Sequence, residues 1–243
     1  PGSLEDLESY RLEMVYGIHD HWIPKGAYEI ITAIGKKKRH GEPLTAEDET
    51  TLKNPELQKW SYTYHLRETA YDTGDGQVTN QFEEALQKLV EAPHSRRGII
   101  SLLKPASDIF HHDPPCRNLV AMRIWKNELR MHTTMRSNDA FMANFMNMFA
   151  FTDQQKLAAE EMTRRTGRII IPGEYTQNSI SYHTYGKDLK QFEGFLESVR
   201  KRKWEDRVWD SRDEMVQSAF ASARVKELSW EGDKELPKDK KVK

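Results

Sequence analysis

Residues 118–137 carry the sequence NLVAMRIWKNELRMHTTMRS, and this stretch decides the fold class. Asn118–Trp125 and Leu129–Ser137 are two β-prone segments joined across the short polar connection 126–128, which predicts a hairpin of two strands. Upstream, Ile99–Leu103 is a short apolar run suited to a further, buried strand. The sequence therefore predicts a sheet at the centre of the protein.

Helices are predicted on both sides of these strands. Asp139–Arg165 is rich in Met, Phe and Ala and is followed by Gly167, a residue type that commonly ends a helix. Other segments have apolar residues at helical spacing: Leu4–Gly17, with Gly17 as its stop, Tyr28–Ile34, Val78–Val90, Asp188–Val199 and Asp213–Val225. Arg168–Tyr185 is predicted to form strands broken at Pro172-Gly173.

The chain is expected to form one α+β domain over residues 1–243, with helices covering a β core, because it shows neither an internal repeat nor a linker. Residues 35–54, which begin with the basic run Lys36–Arg39, are predicted to be an exposed, irregular excursion. The Lys-rich residues 232–243 are predicted to be a frayed tail.

The composition excludes several classes of protein. Lys+Arg number 37 and Asp+Glu 38, so the net charge of −1 gives no overall attraction for nucleic acid or an anionic membrane. Six Trp, nine Tyr, nine Phe and nine Met supply too much apolar surface for a disordered chain. One cysteine excludes a disulfide framework and any all-cysteine zinc or iron–sulfur site. With no long apolar run and no leader, we expect a soluble, cytoplasmic protein.

The only cysteine, Cys116, follows His111-His-Asp-Pro-Pro115 and directly precedes a predicted strand. A lone cysteine is most often a small buried side chain. Here the double proline fixes the approach to the strand, and Arg117 and Arg136 are placed to favour the thiolate, which points to a nucleophile. A zinc site from His111, His112 and Cys116 has a spacing unlike that of zinc motifs, so no metal site is predicted.

The segment Arg136-Ser-Asn-Asp139 lies where a strand is expected to meet the long helix. Ser, Asn and Asp are helix-capping residues, and capping is the simpler explanation. The alternative is an anion site, since helix N-terminal amides, a hydroxyl and a guanidinium can converge on a phosphate. Arg96-Arg97, just before a buried strand, supplies two further candidates for phosphate binding.

Several short segments occur together in the order and spacing of one enzyme family. They are Ser95-Arg-Arg97, Pro114-Pro-Cys116, Met135-Arg-Ser-Asn-Asp139, Asn147 and His183-Thr-Tyr185. This pattern resembles the thymidylate synthase superfamily, which includes the deoxycytidylate hydroxymethylases of T-even phages. The resemblance extends upstream to Tyr62 and implies a mixed sheet, a homodimer formed through the sheets, and methylenetetrahydrofolate as the one-carbon donor.

The resemblance assigns roles around the reacting ring. Cys116 resembles the nucleophile that adds to the pyrimidine carbon next to the one being modified, a task that suits a thiolate because it attacks well and leaves again. Tyr62 resembles the tyrosine that orders catalytic water, and Asp139 the residue that orients the folate pterin. His183 and Tyr185 resemble ligands of the sugar hydroxyl, although each alone could be an ordinary strand or core residue.

The resemblance also assigns residues to the base and the phosphate. Arg136 and Ser137 resemble phosphate ligands, and Arg96-Arg97 the pair that each subunit donates to its partner's site. Asn147 resembles the amide that binds the base, since its side chain offers a donor and an acceptor to the ring edge. Within a helix, Asn147 could otherwise be an ordinary polar residue.

The sequence also departs from the family pattern. The family has a histidine after the nucleophile where this chain has Arg117, and a shielding tryptophan where it has Leu66. The catalytic glutamate of the first helix has no clear counterpart, and among Glu5, Asp6 and Glu8 we favour Glu8. The family's amino-terminal phosphate loop is not visible, so truncation there is expected, and a charged tail replaces its apolar carboxyl-terminal seal.

These departures predict a wetter pocket and therefore a hydroxymethylase that acts on CMP, dCMP or dUMP, because hydride transfer requires water to be excluded. The alternative is a thymidylate synthase that converts dUMP to dTMP, and Asn147 keeps uracil nucleotides among the substrates. A third possibility is a non-catalytic RNA-binding relative, supported only by the basic runs. Retention of Cys116 argues against it, because binding needs no thiolate, and neither nucleic acid nor a membrane is expected as a partner.

Overall fold

The computed structural model describes residues 2–54, 57 and 61–231 of the chain. Within this part the strands are β1 (Tyr71–Asp72), β2 (Val78–Thr79), β3 (Gly98–Ser101), β4 (Arg117–Trp125), β5 (Glu128–Asp139) and β6 (Ile171–His183). The helices are α1 (Leu4–Tyr16), α2 (Ala27–His40), α3 (Ala46–Leu52), α4 (Tyr64–Thr69), α5 (Gln81–Glu91), α6 (Pro105–Asp108), α7 (Asn144–Thr166), α8 (Leu189–Lys201) and α9 (Glu214–Glu231). Short 3₁₀ turns lie at residues 20–22, 186–188 and 205–207.

A mixed sheet with the strand order β3-β4-β5-β6 forms the centre of the fold. β3, β4 and β5 pair antiparallel, with Gly98 opposite Met122 and Val120 opposite Thr133. β6 lies parallel to β5, and the chain crosses between them through α7, as a parallel pair requires. The predicted α+β class and the hairpin are confirmed, and the strand predicted over Ile99–Leu103 is present as Gly98–Ser101 but is buried on one face only.

Helix α7 packs against one face of this sheet. Along β4 the buried side chains alternate with less buried ones, and Val120, Met122 and Ile124 point into the core. From α7, Phe151 and Ala158 join the same cluster and are fully buried. Each large apolar side chain buried here contributes about 1.5–3 kcal/mol, so this layer holds β4 and β5 in place beneath the site.

Local chemistry fixes both ends of α1. Ser3 caps the first turn, where its hydroxyl accepts from the backbone N–H of Asp6 at 3.2 Å. Gly17 ends the helix with φ +65°, and a Cβ there would lie 2.3 Å from Nδ1 of His65 and 2.4 Å from Asp20. The predicted stop at Gly17 is confirmed, and its lack of a side chain lets α1 lie close to α4.

The predicted irregular excursion over residues 35–54 is wrong. α2 continues through the basic run to His40, ends at Gly41 with φ +72°, and is followed by α3. Lysine and arginine are good helix formers, so the helix extends until a glycine allows the left-handed turn. Most of these residues are nevertheless exposed. The predicted frayed tail, 232–243, lies outside the described residues.

Two further boundaries differ from the predictions. α7 begins at Asn144 rather than Asp139, because β5 stays paired with β6 until Asp139 lies opposite His183. β6 runs through Pro172-Gly173 without a break, and the irregularity is absorbed by a register shift between Leu129 and Met131. The helices predicted over Val78–Val90, Asp188–Val199 and Asp213–Val225 are present, except that the first begins only at Gln81, because Val78–Thr79 form β2. None of the described helices is long and apolar enough to cross a membrane.

Candidate active site

The candidate nucleophile, Cys116, lies partly buried at the end of the loop that enters β4. Its carbonyl oxygen accepts a hydrogen bond from the backbone N–H of Arg136 at 2.8 Å. The Arg136 guanidinium reaches back to this loop, donating through Nη2 to the carbonyl of Pro114 at 2.6 Å and through Nε to that of Pro115 at 3.2 Å. Arg136 thus holds the double proline and places the sulfur beside its own positive charge.

Burial raises the pKa of the Cys116 thiol, and the positive charge of Arg136 together with a hydrogen bond to Tyr64 offsets only part of that effect. The expectation that Arg117 and Arg136 both favour the thiolate is therefore correct only for Arg136. The Arg117 side chain is completely buried and bound to Glu68. In the free protein the thiol stays protonated near neutral pH, so a bound substrate or base must assist its ionisation.

Tyr62 and Tyr64 both interact electrostatically with the sulfur, and Tyr64 is the one that binds the residue after it. The Tyr64 hydroxyl accepts from the backbone N–H of Arg117 at 3.1 Å, and its interaction with the Cys116 thiol acts to lower the pKa of that thiol. The Tyr62 ring instead packs edge-on against Tyr28, with centroids 6.2 Å apart. Tyr62 and Tyr64 are only two residues apart, so the sequence alone does not say which of them contacts the residue after the cysteine. The structure distinguishes them, because only Tyr64 binds the backbone of Arg117 in β4. Tyr64 is therefore a second candidate, alongside Tyr62, for the side chain that positions water or a proton at the sulfur.

A cavity of about 160 Å³ lies beside Tyr64. Its lining residues are Tyr10, Glu13, Met14, Ser61, Tyr62, Thr63, Tyr64 and Asp113. Glu13 brings a carboxylate into this cavity from α1, and His19 holds it, with Nδ1 at 3.4 Å from Oε2. The other nitrogen of His19 lies 2.7 Å from Glu227 on α9. Burial opposes protonation of His19, but the hydrogen bonds to both glutamates outweigh it and raise its pKa.

Glu8, the predicted catalytic carboxylate, does not line this cavity. Its side chain is fully buried and receives Nε and Nη2 of Arg11 at 2.7 Å each, and Nε of Arg224 at 2.6 Å. Burial acts to raise the pKa of Glu8, but the two arginines outweigh it and keep that pKa below its ordinary value. Glu8 is thus a structural ion-pair partner, and Asp6 is used in the α1 cap. Glu13, which sequence analysis missed, takes its place as the candidate.

Asn147 lies in the first turn of α7 and is buried. Its Oδ1 accepts from the Tyr10 hydroxyl at 2.6 Å, and its Nδ2 donates to Oδ1 of Asn138 at 3.0 Å. These two bonds fix which end of the amide is the donor, Nδ2 also lies 4.0 Å from the Met135 sulfur, and Oδ1 retains capacity for one more donor. The predicted base-binding residue is therefore held in a single orientation.

The segment containing Ser137 and Asp139 is a strand, not a helix N-terminus, so the predicted helix-terminal anion site is wrong. Ser137 lies opposite Ser181 across the β5–β6 pair, and the α7 N-cap position is Ala143. Asp139 instead accepts the backbone N–H groups of Phe141 and Met142 at 3.0 and 3.1 Å. Any anion contact here must come from side chains on the strand.

His183 and Tyr185 lie at the carboxyl end of β6. His183 pairs with Asp139 across the sheet, and its Nδ1 lies 3.2 Å from the hydroxyl of Ser181. The Tyr185 ring stands edge-on to His183, with centroids 4.9 Å apart, and about half of Tyr185 is exposed. β5 and β6 therefore bring the hydroxyls of Ser137 and Tyr185 and the His183 imidazole to the same end of the sheet.

Arg96 and Arg97 are exposed in the turn before β3, where Nε of Arg97 lies 3.4 Å from the Ser95 hydroxyl. The following residue, Gly98, pairs with Met122, six positions along the chain from Cys116. At about 3.3 Å per residue this is about 20 Å of strand. The fold thus does not bring this arginine pair to the cysteine of its own chain.

His111 and His112 pack as part of an aromatic stack. The His111 ring lies 4.8 Å from that of Tyr28 and 4.9 Å from that of His112, and its Nδ1 accepts from the backbone N–H of Asp113 at 3.1 Å. Burial lowers the pKa of His111 to about 4, so its ring is neutral. In the described part of the chain no three His, Cys, Asp or Glu side chains are grouped to bind a metal ion.

Comparison with known proteins links this site to one family. The family model described as thymidylate synthase matches residues 15–228. The relatives found include a protein of Methanosarcina mazei, 28% identical over 143 residues (59% of this chain and 61% of the relative), and one of Methanopyrus kandleri, 31% identical over 144 residues (58% and 63%), each named "Putative thymidylate synthase". A protein of Haloferax volcanii named "Thymidylate synthase" is 27% identical over 106 residues, 44% of this chain and 29% of the relative. Each match covers less than two thirds of the relative's length.

Proposed function

This chain belongs to the thymidylate synthase family, and from that premise we propose that it transfers a one-carbon unit from methylenetetrahydrofolate to carbon 5 of a pyrimidine nucleoside monophosphate. The observation that carries the proposal is the convergence of Arg136 and Tyr64 on Cys116, beside a cavity that contains Glu13. A nucleophile, a neighbouring cation, a proton-handling hydroxyl and a carboxylate are the parts that addition to a pyrimidine ring requires.

In the proposed reaction the Cys116 sulfur adds to carbon 6 of the ring. This addition breaks the aromatic conjugation and makes carbon 5 a nucleophile that takes up the one-carbon unit. Loss of the carbon-5 proton would accompany cleavage of the bond between the transferred carbon and the folate nitrogen. That carbon would then take up hydride from the folate to give a methyl group, or water to give a hydroxymethyl group, and departure of the sulfur would restore the ring. The Tyr64 hydroxyl, next to the sulfur, suits the placement of the water that accepts this proton, and Glu13 suits proton exchange with the base.

Asn147 supports discrimination between bases. Uracil and cytosine present opposite orders of donor and acceptor along the edge that contains N3 and the group on carbon 4. Because Tyr10 and Asn138 fix the amide orientation, only one of these orders can be bound without leaving a buried polar group unpaired. Since a neutral amide complements uracil and an aspartate would suit cytosine better, we propose a uracil nucleotide as substrate.

Other residues fit the remainder of the two substrates. Arg136 and Ser137 would bind the phosphate, with the arginine exchanging its proline carbonyls for the stronger bond to a phosphate, and His183 and Tyr185 would bind the sugar hydroxyl. Asp139 offers a carboxylate to the folate pterin, and the exposed side chain of Met142 beside it offers apolar surface. When bound, the folate supplies the methylene carbon and, for a methylated product, the hydride.

For the product we favour the methyl group, that is, conversion of dUMP to dTMP. One argument for a wetter pocket is removed, because Arg117 is buried in the core and does not line the cavity beside Tyr64. The names of the archaeal relatives favour the same choice. The hydroxymethylase remains the second candidate because of Leu66, a partly buried residue of α4 that is smaller than the tryptophan that shields the family's pocket.

The product and the folate released distinguish these two reactions. We expect dUMP with methylenetetrahydrofolate to give a nucleotide with the mass of the methylated base, together with the rise in absorbance of dihydrofolate, whereas dCMP and CMP react far more slowly. A product with the mass of a hydroxymethyl group and no dihydrofolate would instead establish the second candidate. Absence of any product from all three nucleotides would contradict the proposed function.

The active unit is proposed to be a homodimer formed through the open face of the sheet. Ile99, Leu119, Trp125 and Ile180 are exposed apolar side chains of β3, β4 and β6, and they lie on the strands rather than in loops. Such exposed apolar side chains on a sheet are typical of an interaction surface. A partner in this position would also supply an arginine pair to a site that lacks its own Arg96-Arg97.

Mixed dimers test this arrangement. Arg97→Ala and Cys116→Ser subunits should each be inactive alone, but after exchange a hybrid dimer has one intact site and should regain up to about a quarter of wild-type activity, since half of the dimers are hybrids with one of two sites intact. Subunit exchange is followed with tagged chains. If exchange is complete and activity does not return, the shared site is contradicted.

A further inference from the structure

Arg117 is a completely buried arginine in the residue directly after the nucleophile. Its Nη1 donates to Glu68 at 2.7 Å, and its Nη2 donates to Gln154 at 2.9 Å and to the Thr133 hydroxyl at 3.3 Å. Its guanidinium carbon lies 3.8 Å from the ring centroid of Phe151. A charge buried this deeply is costly unless it is paired, so loss of one partner alone would destabilise the protein, although the Nε of Arg117 itself has no hydrogen-bond partner.

The cluster is closed by a bond between its acidic and amide members. Gln154 on α7 donates to Glu68 on α4, so that α4, α7 and β4 are joined through the Arg117 guanidinium. Glu68 is fully buried, and burial raises its pKa despite the neighbouring arginine charge. We name these three side chains, Arg117, Glu68 and Gln154, the buried clamp.

The buried clamp acts on the same helix that carries Tyr64. Tyr64 and Glu68 are four residues apart on α4, which places them on one face of the helix. Arg117 holds this face at two points, because its backbone N–H binds the Tyr64 hydroxyl at 3.1 Å and its side chain binds Glu68. The backbone donor occupies a lone pair of the Tyr64 oxygen, so the hydroxyl proton stays available for donation to another acceptor.

We propose that Arg117 is a positioning residue for Cys116: through the buried clamp and its backbone N–H, it fixes the Tyr64 hydroxyl as a hydrogen-bond donor to the reacting sulfur. The inference rests on the proposed nucleophilic role of Cys116. Arg117 acts on Cys116 by fixing the position of Tyr64, and not through a direct effect of the arginine charge on the sulfur. The family has a histidine directly after the nucleophile, whereas in this chain Arg117 occupies that position and holds Tyr64 in place.

The effect of Tyr64 and the buried clamp on Cys116 can be measured from the reactivity of the thiol, because Cys116 is the only cysteine of the chain. The experiment measures the rate of alkylation by iodoacetamide against pH in the free protein, with no substrate or folate. Because the thiolate is the reacting form, loss of the Tyr64 hydrogen bond should raise the pKa of Cys116 and slow alkylation at about pH 8. We expect Tyr64→Phe to slow it about tenfold, the effect of one hydrogen bond to a charged group.

Removal of the buried clamp should have the same effect without unfolding the protein. The triple variant Arg117→Met, Glu68→Met and Gln154→Leu removes all three polar partners together, and such replacements of buried ion pairs are often tolerated. We expect alkylation about tenfold slower at about pH 8 in this variant, and no further slowing when Tyr64→Phe is added, because both changes remove one interaction.

Arg117→Lys keeps the positive charge but cannot bind Glu68, Gln154 and Thr133 at once. It should therefore also slow alkylation, and in a Tyr64→Phe background it should add nothing. This variant gives the same test if the triple variant does not fold. A matched control is the neighbouring buried pair between α4 and α6, in which Nη2 of Arg67 lies 2.9 Å from Asp108. Arg67→Met with Asp108→Met should leave the alkylation profile of Cys116 unchanged.

The inference is overturned if the triple variant or Arg117→Lys slows alkylation further when Tyr64→Phe is added, because the two changes would then remove different interactions. It is also overturned if Arg117→Lys reacts at the wild-type rate, because the positive charge alone would then be sufficient. An equal slowing in the Arg67 and Asp108 control would overturn it as well, since the cause would then be general loosening of α4. These results do not depend on turnover. Failure of the proposed function would appear as absence of product from wild-type protein, whatever the alkylation rates.

Discussion

Replacing Cys116 by serine should lower turnover by at least about four orders of magnitude while nucleotide binding is kept. A hydroxyl is a far poorer nucleophile than a thiolate near neutral pH, and the remaining contacts of the site do not involve the sulfur. The Arg136 bonds to the Cys116 carbonyl and to the proline carbonyls use backbone atoms and survive the change. Turnover is measured as product formed with dUMP and methylenetetrahydrofolate, and binding by calorimetry with dUMP alone.

Arg136→Ala provides the comparison that separates chemistry from binding. Loss of this guanidinium should weaken nucleotide binding as well as turnover, because it removes a charge-assisted partner of the phosphate and releases the proline loop. Cys116→Ser should therefore bind dUMP within a few-fold of wild type, and Arg136→Ala should not. A Cys116→Ser protein that turns over within about tenfold of wild type would exclude Cys116 as the nucleophile.

The sheet was predictable because its signals are local. In β4 and β5 the alternation of buried and exposed side chains and a short polar turn are contained in about twenty residues. Gly17 and Gly167 likewise mark helix ends through their own backbone preference, with φ of +65° and +67°. In both cases the information lies within a few residues of the feature that it specifies.

The start of α7 was not predictable in the same way. Ser137 and Asp139 have the side chains of helix caps, yet both stay in β5 because β6, some forty residues later, pairs with them. Pairing with a distant strand overrides a local preference of about 1 kcal/mol for capping. The phosphate-binding interpretation of this segment therefore depended on a helix end that lies five residues further on, at Asn144.

The choice among the acidic residues of α1 shows the same limit. Glu8 and Glu13 lie on one helix, and nothing in their local sequence says which one faces a cavity. The answer comes from Arg224 on α9, which pairs with Glu8, and from the loop before β4, which lies near Glu13. Partners more than a hundred positions away decide which carboxylate is structural and which is available for chemistry.

Glu13→Gln should therefore lower turnover by about two to four orders of magnitude, the range of a lost proton-transfer group. Glutamine keeps the shape of the side chain and its hydrogen bond to His19, but it cannot take up or release a proton. The fold should be little affected, because Glu13 is not part of the Arg11 and Arg224 ion pairs. Single-turnover product formation measures the effect, and thermal unfolding verifies that the variant is folded.

Glu8→Gln, on the same helix, is the matched control with the opposite expected result. It leaves the buried Arg11 and the partly exposed Arg224 facing a neutral amide, so it should lower the free energy of unfolding by about 3 kcal/mol, while the folded protein keeps turnover close to wild type. The two substitutions are chemically identical and only about one and a half helical turns apart, so a general effect of losing a carboxylate from α1 would appear in both. If folded Glu8→Gln loses turnover and Glu13→Gln retains it, the catalytic carboxylate is Glu8, and the cavity beside Tyr64 is not where the base is protonated.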